Sequence, residues 1–202
     1  MAITTYSELQ TAVGNWLDHG LFAARIPEFI ALFEAAANRR LRVREQEAAT
    51  VLTPSSGAAA LPADYLAWRR VTWTGSPRVE LQYVHPSYLQ AAYPSTPSAR
   101  PSVFTIEGST LKIRPVDATA LEFDYFQKIP ALSDGAATNW LLAAHPDLYH
   151  LFGALVEAEM FGVNDERAPL WKARRDEILD EIEKLSNKTR GAGAMRVMAA
   201  TP

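Results

Sequence analysis

The chain has 202 residues, 48% of them hydrophobic and 21% charged, the balance of a soluble globular protein able to bury a real core as one domain or two small subdomains. A formal net charge of -3 gives no global attraction to nucleic acid or an anionic membrane, so any such contact needs a local patch. The absence of cysteine excludes disulfides, thiolate zinc sites and cysteine nucleophiles; no basic start leads into an apolar run and no stretch of roughly eighteen apolar residues occurs, which predicts a protein that stays in the cell that makes it, without a membrane span.

The first helix is announced by Thr5 with Glu8 three residues later, the spacing at which each side chain satisfies an amide of the helix start. Leu9, Val13, Trp16 and Leu17 fall on one face, and Asp18-His19-Gly20 is the expected stop, with Gly20 suited to the left-handed residue after a helix. A second helix is predicted from about Ile26, with Pro27 in the first position, where a missing amide costs nothing. Ile26, Ile30, Phe33, Ala37 and Leu41 form its apolar stripe. Arg39, Arg40, Arg42 and Arg44 suit its negative C-terminal end.

From Thr50 the texture changes to short runs of β-branched and aromatic residues broken by Pro, Ser and Gly. Strands are predicted at 50–53, 68–73, 79–83, 103–106, 110–114 and 121–127. Glu107-Gly108-Ser109 and Thr74-Gly75-Ser76-Pro77 read as tight turns, so the sheet should be mostly antiparallel. A helical turn is expected over 86–92 and a surface loop over 94–101.

After Pro130 helical patterning returns. A short helix is expected over 139–144. His145-Pro146-Asp147 then restarts a helix with Leu148, Leu151, Phe152, Leu155 and Met160 on a broad apolar face. Asn164-Asp165 punctuates before a final amphipathic helix carrying Trp171, Ile178, Ile182 and Leu185, with Lys172/Asp176 and Asp180/Lys184 at surface pairing distance. The order helices, strands, helices predicts an α+β fold, with N- and C-terminal helices forming a bundle beside a mostly antiparallel β-sheet region. The expected divisions are N-terminal helices over 1–48, a β region over 49–130, C-terminal helices over 131–186 that pack with the N-terminal ones, and a flexible C-terminal arm over 187–202. The end of the chain, from Ser186, combines Gly191-Ala192-Gly193-Ala194 with Lys188, Arg190 and Arg196 and a small apolar cluster, Met195, Val197 and Met198. By composition it reads as a frayed terminus or as an arm that orders on a partner, with the apolar cluster as anchor and the arginines setting register.

Catalytic patterning is missing. GxSxG, the phosphate-binding GxxxxGK[ST], HExxH and GxGxxG do not occur. His145, Asp147 and His150 are close in sequence, but helix-start signals account for them better than a metal site does. The carboxylate pairs Glu157/Glu159, Asp165/Glu166 and Glu181/Glu183 read as solvated helix faces. No catalytic residue, metal or cofactor is therefore expected. The Arg39–Arg44 cluster is the best local case for phosphate contacts, against which the helix dipole already explains arginines at a helix end and Glu45 and Glu47 follow at once. Trp16, Trp68, Trp73, Trp140, Trp171, Tyr65, Tyr83, Tyr88, Tyr93 and Tyr125 read as packing residues of core or subunit interface rather than base-stacking platforms.

Several unusual phrases are strung together in a fixed order along the chain: TTYSELQTAVGNWLD, RIPEFIALFEAAANRRLRVRE, LPADYLAWRRV, YVHPSYL, FTIEGSTLKIRP, DYFQKIPALSD, TNWLLAAHPDLYHLFGALVEAEMFG and DERAPLW. Together, from Tyr6 to Leu185, they resemble the adaptor (head-to-tail connector) proteins of tailed bacteriophages. The resemblance implies a non-enzymatic structural protein of the virion neck, made in the host bacterial cytoplasm. It implies a homo-oligomeric, dodecameric ring under the portal protein, with the tail (nozzle or tail-tube) proteins attached below and DNA in transient contact as it passes. No membrane is involved. Terminal arms of such adaptors grip the portal, which makes Arg190, Met195, Arg196, Val197 and Met198 the candidate portal-binding arm. The amphipathic helices around 29–41 and 148–161 are candidate subunit contacts, with Arg39, Arg40, Arg42 and Arg44 at a subunit interface or facing DNA. The alternatives are a DNA-binding or packaging accessory protein using that arginine cluster and, behind it, a small hydrolase.

Overall fold

The structure is a computed structural model that describes residues 3–17, 20–94, 97–162 and 168–191, a few of them by backbone alone. In chain order its elements are α1 Tyr6–Trp16, α2 Ile26–Arg40, β1 Glu47–Leu52, β2 Ala58–Ala60, β3 Tyr65–Trp73, β4 Val79–Glu80, β5 Gln82–Tyr83, α3 Pro86–Ala92, β6 Val103–Glu107, β7 Thr110–Arg114, β8 Leu121–Gln127, α4 Trp140–Ala144, α5 Leu155–Gly162 and α6 Ala168–Gly191. The fold is α+β, as the sequence predicts. The chain forms two compact units, Met1–Glu45 with Ile129–Pro202, and Gln46–Lys128.

The first unit is helical. The capping box at α1 forms as read: Thr5 Oγ1 accepts from the Glu8 amide at 3.3 Å, and the Glu8 carboxylate accepts from the Thr5 amide at 3.0 Å. These bonds, with those from Thr4, hold the Glu8 carboxyl below the ordinary carboxylate range. Leu9 and Val13 are fully buried, but Trp16, predicted on the same face, is 54% exposed. Helix α1 ends at Trp16, so its apolar face has run out where the chain turns away. Asp18 and His19 of the predicted stop lie outside the described residues, and Gly20 opens a 3₁₀ turn, Gly20–Arg25. In α2, Pro27 sits in the first turn, and every residue of the predicted stripe from Ile26 to Leu41 is buried.

The return of the chain at Ile129 brings α4, capped by the Asn139 side chain, and then a wide π-helical turn over Leu148–Ala154 before α5. The sequence reads this stretch as ordinary α-helix. The departure coincides with close approach to α2: a Cβ on Gly153 would stand 2.6 Å from the Phe33 ring and 2.8 Å from the Leu148 carbonyl, and Tyr149 meets Phe33 edge-on at 4.9 Å. Leu148 and Leu155 are buried as expected; the side chains of Leu151, Phe152 and Met160 lie outside the described residues. Ile178 and Ile182 of α6 complete this core, with Trp171 packed against it.

The second unit is two four-stranded sheets, β1-β8-β3-β4 and β2-β7-β6-β5. Alternation decides burial: Leu121, Phe123 and Tyr125 of β8, and Leu111 and Ile113 of β7, point into one core while their neighbours face outward. The predicted turn at Gly108 closes the β6–β7 hairpin, with Glu107 opposite Thr110 and Gly108 at φ 59°, where glycine alone fits without strain. All strand pairs are antiparallel except β5 with β6.

One expectation fails here, and one strand appears that the sequence did not announce. The run 79–83 is not one strand. Val79 and Glu80 pair with β3, Leu81 turns into the core at 4% exposure, and Gln82 and Tyr83 pair with β6 in the other sheet. Ala58–Ala60 forms β2 although alanine has little strand preference, because pairing Ala59 with Leu111 extends the β7 ladder over the core. The outward side of the first sheet carries cross-strand ion pairs, Arg69–Glu47, Arg70–Asp124 and Arg78–Glu122.

Candidate functional site

The two stretches singled out for function, the Arg39–Arg44 cluster and the C-terminal arm, both belong to the helical unit. The arginines do not act as one patch. Arg40 turns onto α6: its Nε reaches Glu183 at 3.3 Å, Nη1 reaches Asp176 at 3.3 Å, and Nη2 meets Asp180. Asp176, Asp180 and Glu183 are four and then three residues apart, so they share one helical face. This replaces the predicted surface pairs of Asp176 with Lys172 and Asp180 with Lys184. A planar guanidinium with five donors can serve three carboxylates at once, which two separate lysines cannot match. The network stays partly in water, with Arg40 30% exposed, so holding α6 this way contributes about 1 kcal/mol.

Arg42 donates to the Asn38 carbonyl at 2.8 Å and to the Leu41 carbonyl, covering the open end of α2 as the helix-dipole reading expects. Arg39 is exposed. Arg44 is exposed beside Glu45 at 3.5 Å, and its backbone amide donates to Ser186 Oγ at 3.1 Å. Ser186 is itself buried, so the α6 end is pinned where the chain leaves the helical unit. Arg40 and Arg42 are thus turned onto the fold, Arg44 is paired with Glu45 at the surface, and Arg39 is exposed.

Next to that pin lies a groove of about 520 Å³ between the end of α4 and the last turns of α6. Trp140, Ala144, Ile178, Ile182 and Leu185 line it, with Arg44, Glu45, His145, Asp147, Arg174, Glu181 and Ser186. Leu185, predicted to belong to the buried stripe of the last helix, is 68% exposed at this groove. Arg174 is paired with Glu177, whereas Asp147 and Glu181 make no ion pair among the described residues. The carboxylate pairs read as solvated faces are divided up: Glu157 binds Arg175 at 3.3 Å, Glu183 binds Arg40, and Asp165 and Glu166 lie outside the described residues.

The arm continues directly from this region. Helix α6 runs on to Gly191, so the beginning of the arm, predicted to be flexible from 187, is helical. Arg190 lies in that last turn by its backbone, and Met195, Arg196, Val197 and Met198 lie outside the described residues.

Sequence reasoning missed a buried polar knot. Glu34 is 5% exposed and accepts from the Leu132 amide at 3.0 Å and the Tyr149 hydroxyl at 3.2 Å. Asn139 donates to Tyr149 Oη at 2.7 Å and to the Pro130 carbonyl at 2.8 Å. One turn along α2, Asn38 accepts from the Ile129 amide at 2.8 Å. Burial raises the Glu34 carboxyl above its ordinary value despite these hydrogen bonds, and burial with the nearby Glu34 charge raises the Tyr149 phenol. The signal was legible: Glu34 is four residues from Ile30 and three from Ala37, an acid inside an apolar stripe. Buried in the core and accepting these hydrogen bonds, it does not line the groove.

In the β unit, Trp68 stacks on Tyr83 at 5.4 Å with Phe104 edge-on beneath both. Trp68 and Tyr83 are 40% and 44% exposed, whereas Tyr125 is buried with its hydroxyl donating to Asp64 at 3.0 Å. Among the described residues no group of His, Asp and Glu gathers as a metal site, and no helix is long and apolar enough to cross a membrane.

A family model described as SU10 adaptor protein matches residues 4–198, spanning both units and nearly the whole chain. No curated protein matches the chain.

Proposed function

Since the chain belongs to the SU10 adaptor protein family and has the phage adaptor role that membership brings, we propose that it works as a non-enzymatic, ring-forming link between portal and tail. The family model extends over helical unit, β unit and most of the arm alike, through Met198. That extent is the observation that carries the reading, because it ties the role to the assembled chain and not to one detachable module. The adaptor is a component of the virion and partners portal and tail proteins; its place is the neck, as a dodecamer matched to the portal, with DNA passing through. A ring of identical subunits needs two different complementary surfaces on each. Ile26, Phe29, Ile30, Phe33, Ala37 and Leu41 of the α2 stripe, with Leu148, Tyr149, Leu155 and Ala158, are used within the subunit's own core, so exposed surface, including Arg39 and Arg44, is assigned to the ring contacts. The arm beyond Gly191, with Met195, Val197 and Met198 as anchors and Arg190 and Arg196 for register, is the portal-binding element.

Light scattering on the purified chain, alone and mixed with its portal, tests this. A large ring, or a monomer that joins the portal ring stoichiometrically, is the expected result. A chain that ignores the portal overturns it. Charge reversal at Arg44, with folding checked by circular dichroism, is expected to weaken ring formation.

A further inference from the structure

The groove of the helical unit is open, with Trp140, Ile178, Ile182 and Leu185 in its lining beside Asp147 and Glu181, which act on Arg174 through space without a direct ion pair among the described residues. We propose that it is the docking site of this chain's own C-terminal segment, residues 192–202, in the free subunit. This inference rests on the reading of that segment as the portal-binding arm, and adds where the arm is kept before the portal is met.

Three observations select this occupant. The first is reach. The groove lies along α6 from Arg174 to Ser186, and the helix ends at Gly191, about 7.5 Å beyond Ser186 at the helical rise per residue. Gly191 and Gly193 allow the chain to reverse, and the four residues to Met195 cover up to about 13 Å when extended. That length brings Met195 within reach of Leu185, and Val197, two residues further on, within reach of Ile182. The second is pattern. In an extended segment Met195 and Val197 share one side and Arg196 the other; the first two meet the floor at Trp140, Ile178 and Ile182. The third is charge. Asp147 and Glu181 stand at the groove near Arg174 but in no direct ion pair among the described residues, while the segment 192–202 carries Arg196 and no acidic side chain. A segment tethered to its own groove has an effective concentration in the millimolar range, well above that of a second copy or of free peptide at micromolar protein. Capture by the portal then has to displace the segment from the groove.

The lack of cysteine in the sequence allows a clean test in the full chain. Ala144→Cys, an exposed groove position, is paired with Val197→Cys; the control pairs Val197→Cys with Ala31→Cys, an exposed α2 position that does not line the groove. Under mild oxidation the groove pair is expected to form an intrachain disulfide at least about tenfold faster than the control, at a rate independent of protein concentration, as tethering requires. Adding Arg196→Glu to the groove pair should slow it. Crosslinking at the control rate overturns the proposal, and so does a concentration-dependent ladder of crosslinked dimers, which would make the occupant a second copy. Portal binding by the cysteine-free chain is measured separately, so failure of the arm's portal role and failure of the groove docking are distinguishable.

Discussion

The two units solve the same problem of burial by different means. The β unit is one continuous stretch of chain: β3–β4 and β6–β7 pair near neighbours, β1–β8, β3–β8 and β2–β7 join its more distant strands, and every partner lies within the same stretch. The helical unit is assembled from residues 1–45 and 129–202, so α2 must find partners that arrive after an excursion of more than eighty residues. Its specificity rests on side chains that catch the returning backbone: Asn38 on Ile129, Glu34 on Leu132, and Arg40 on three acids of α6. Continuous chain can rely on apolar alternation, whereas discontinuous chain adds polar catches that fix where the second half lands. The loop to be closed is long, and its entropy is recovered only when those distant contacts form.

The sharpest way to break this contrast is Phe33→Ala. Phe33 is fully buried in the helical core against Tyr149, and its removal is expected to cost about 3–5 kcal/mol. Hydrogen exchange read by mass spectrometry should show α2, α4 and α6 losing protection while β8 keeps it; equal loss in both units would make them one cooperative body. Next in size is Glu34→Ala, which leaves the Leu132 amide and Tyr149 hydroxyl buried without their acceptor and should cost about 2–3 kcal/mol. Glu34→Gln keeps an acceptor and removes the charge. Because burial raises the folded-state carboxyl above its ordinary 4.5, the folded chain holds this proton more tightly than the unfolded chain. Stability from this group is therefore fullest below pH 4.5 and declines as pH rises through the raised value. Urea titrations across pH should show that decline in the native chain and its loss in Glu34→Gln.

How much of this was readable can be judged residue by residue. The edges of β7 and β8 follow directly from alternation of β-branched and aromatic residues, and Thr5 with Glu8 fixed the start of α1. Such signals are local, and local chemistry survives into the fold. What escaped depends on distant chain. Ala58–Ala60 is a strand only because β7 waits beside it. The acids at 176 and 180 look destined for the lysines one turn away, until Arg40 arrives from the other end of the sequence. Leu185 continues the helical stripe arithmetically, yet it is 68% exposed and lines the groove. The arginine cluster was visible as a cluster, but its division into engaged and exposed members was not.

Smaller effects refine the same comparison. Gly108→Ala places a side chain at a positive φ in the β6–β7 turn and should cost about 1 kcal/mol, with exchange quickening in the β unit and unchanged in the helical one. Arg40→Ala should cost about 1 kcal/mol or less, measured as a fall in urea midpoint that shrinks as salt is raised.

The pairing of β1 with β8 has a further consequence. Glu47 stands opposite Phe126, so the stretch between them begins and finishes side by side, roughly 5 Å apart as paired strands are. Segment 47–126 is in this sense a guest within a helical host, and a guest whose two ends are already closed asks little of the chain that carries it. Its length, its loops and even its fold can change while Glu34 and Asn38 go on receiving residues 129–132 unaltered. Shortening or exchanging the guest should leave the host's register intact, which gives a lineage, or an engineer, a segment to remodel while the helical unit is kept.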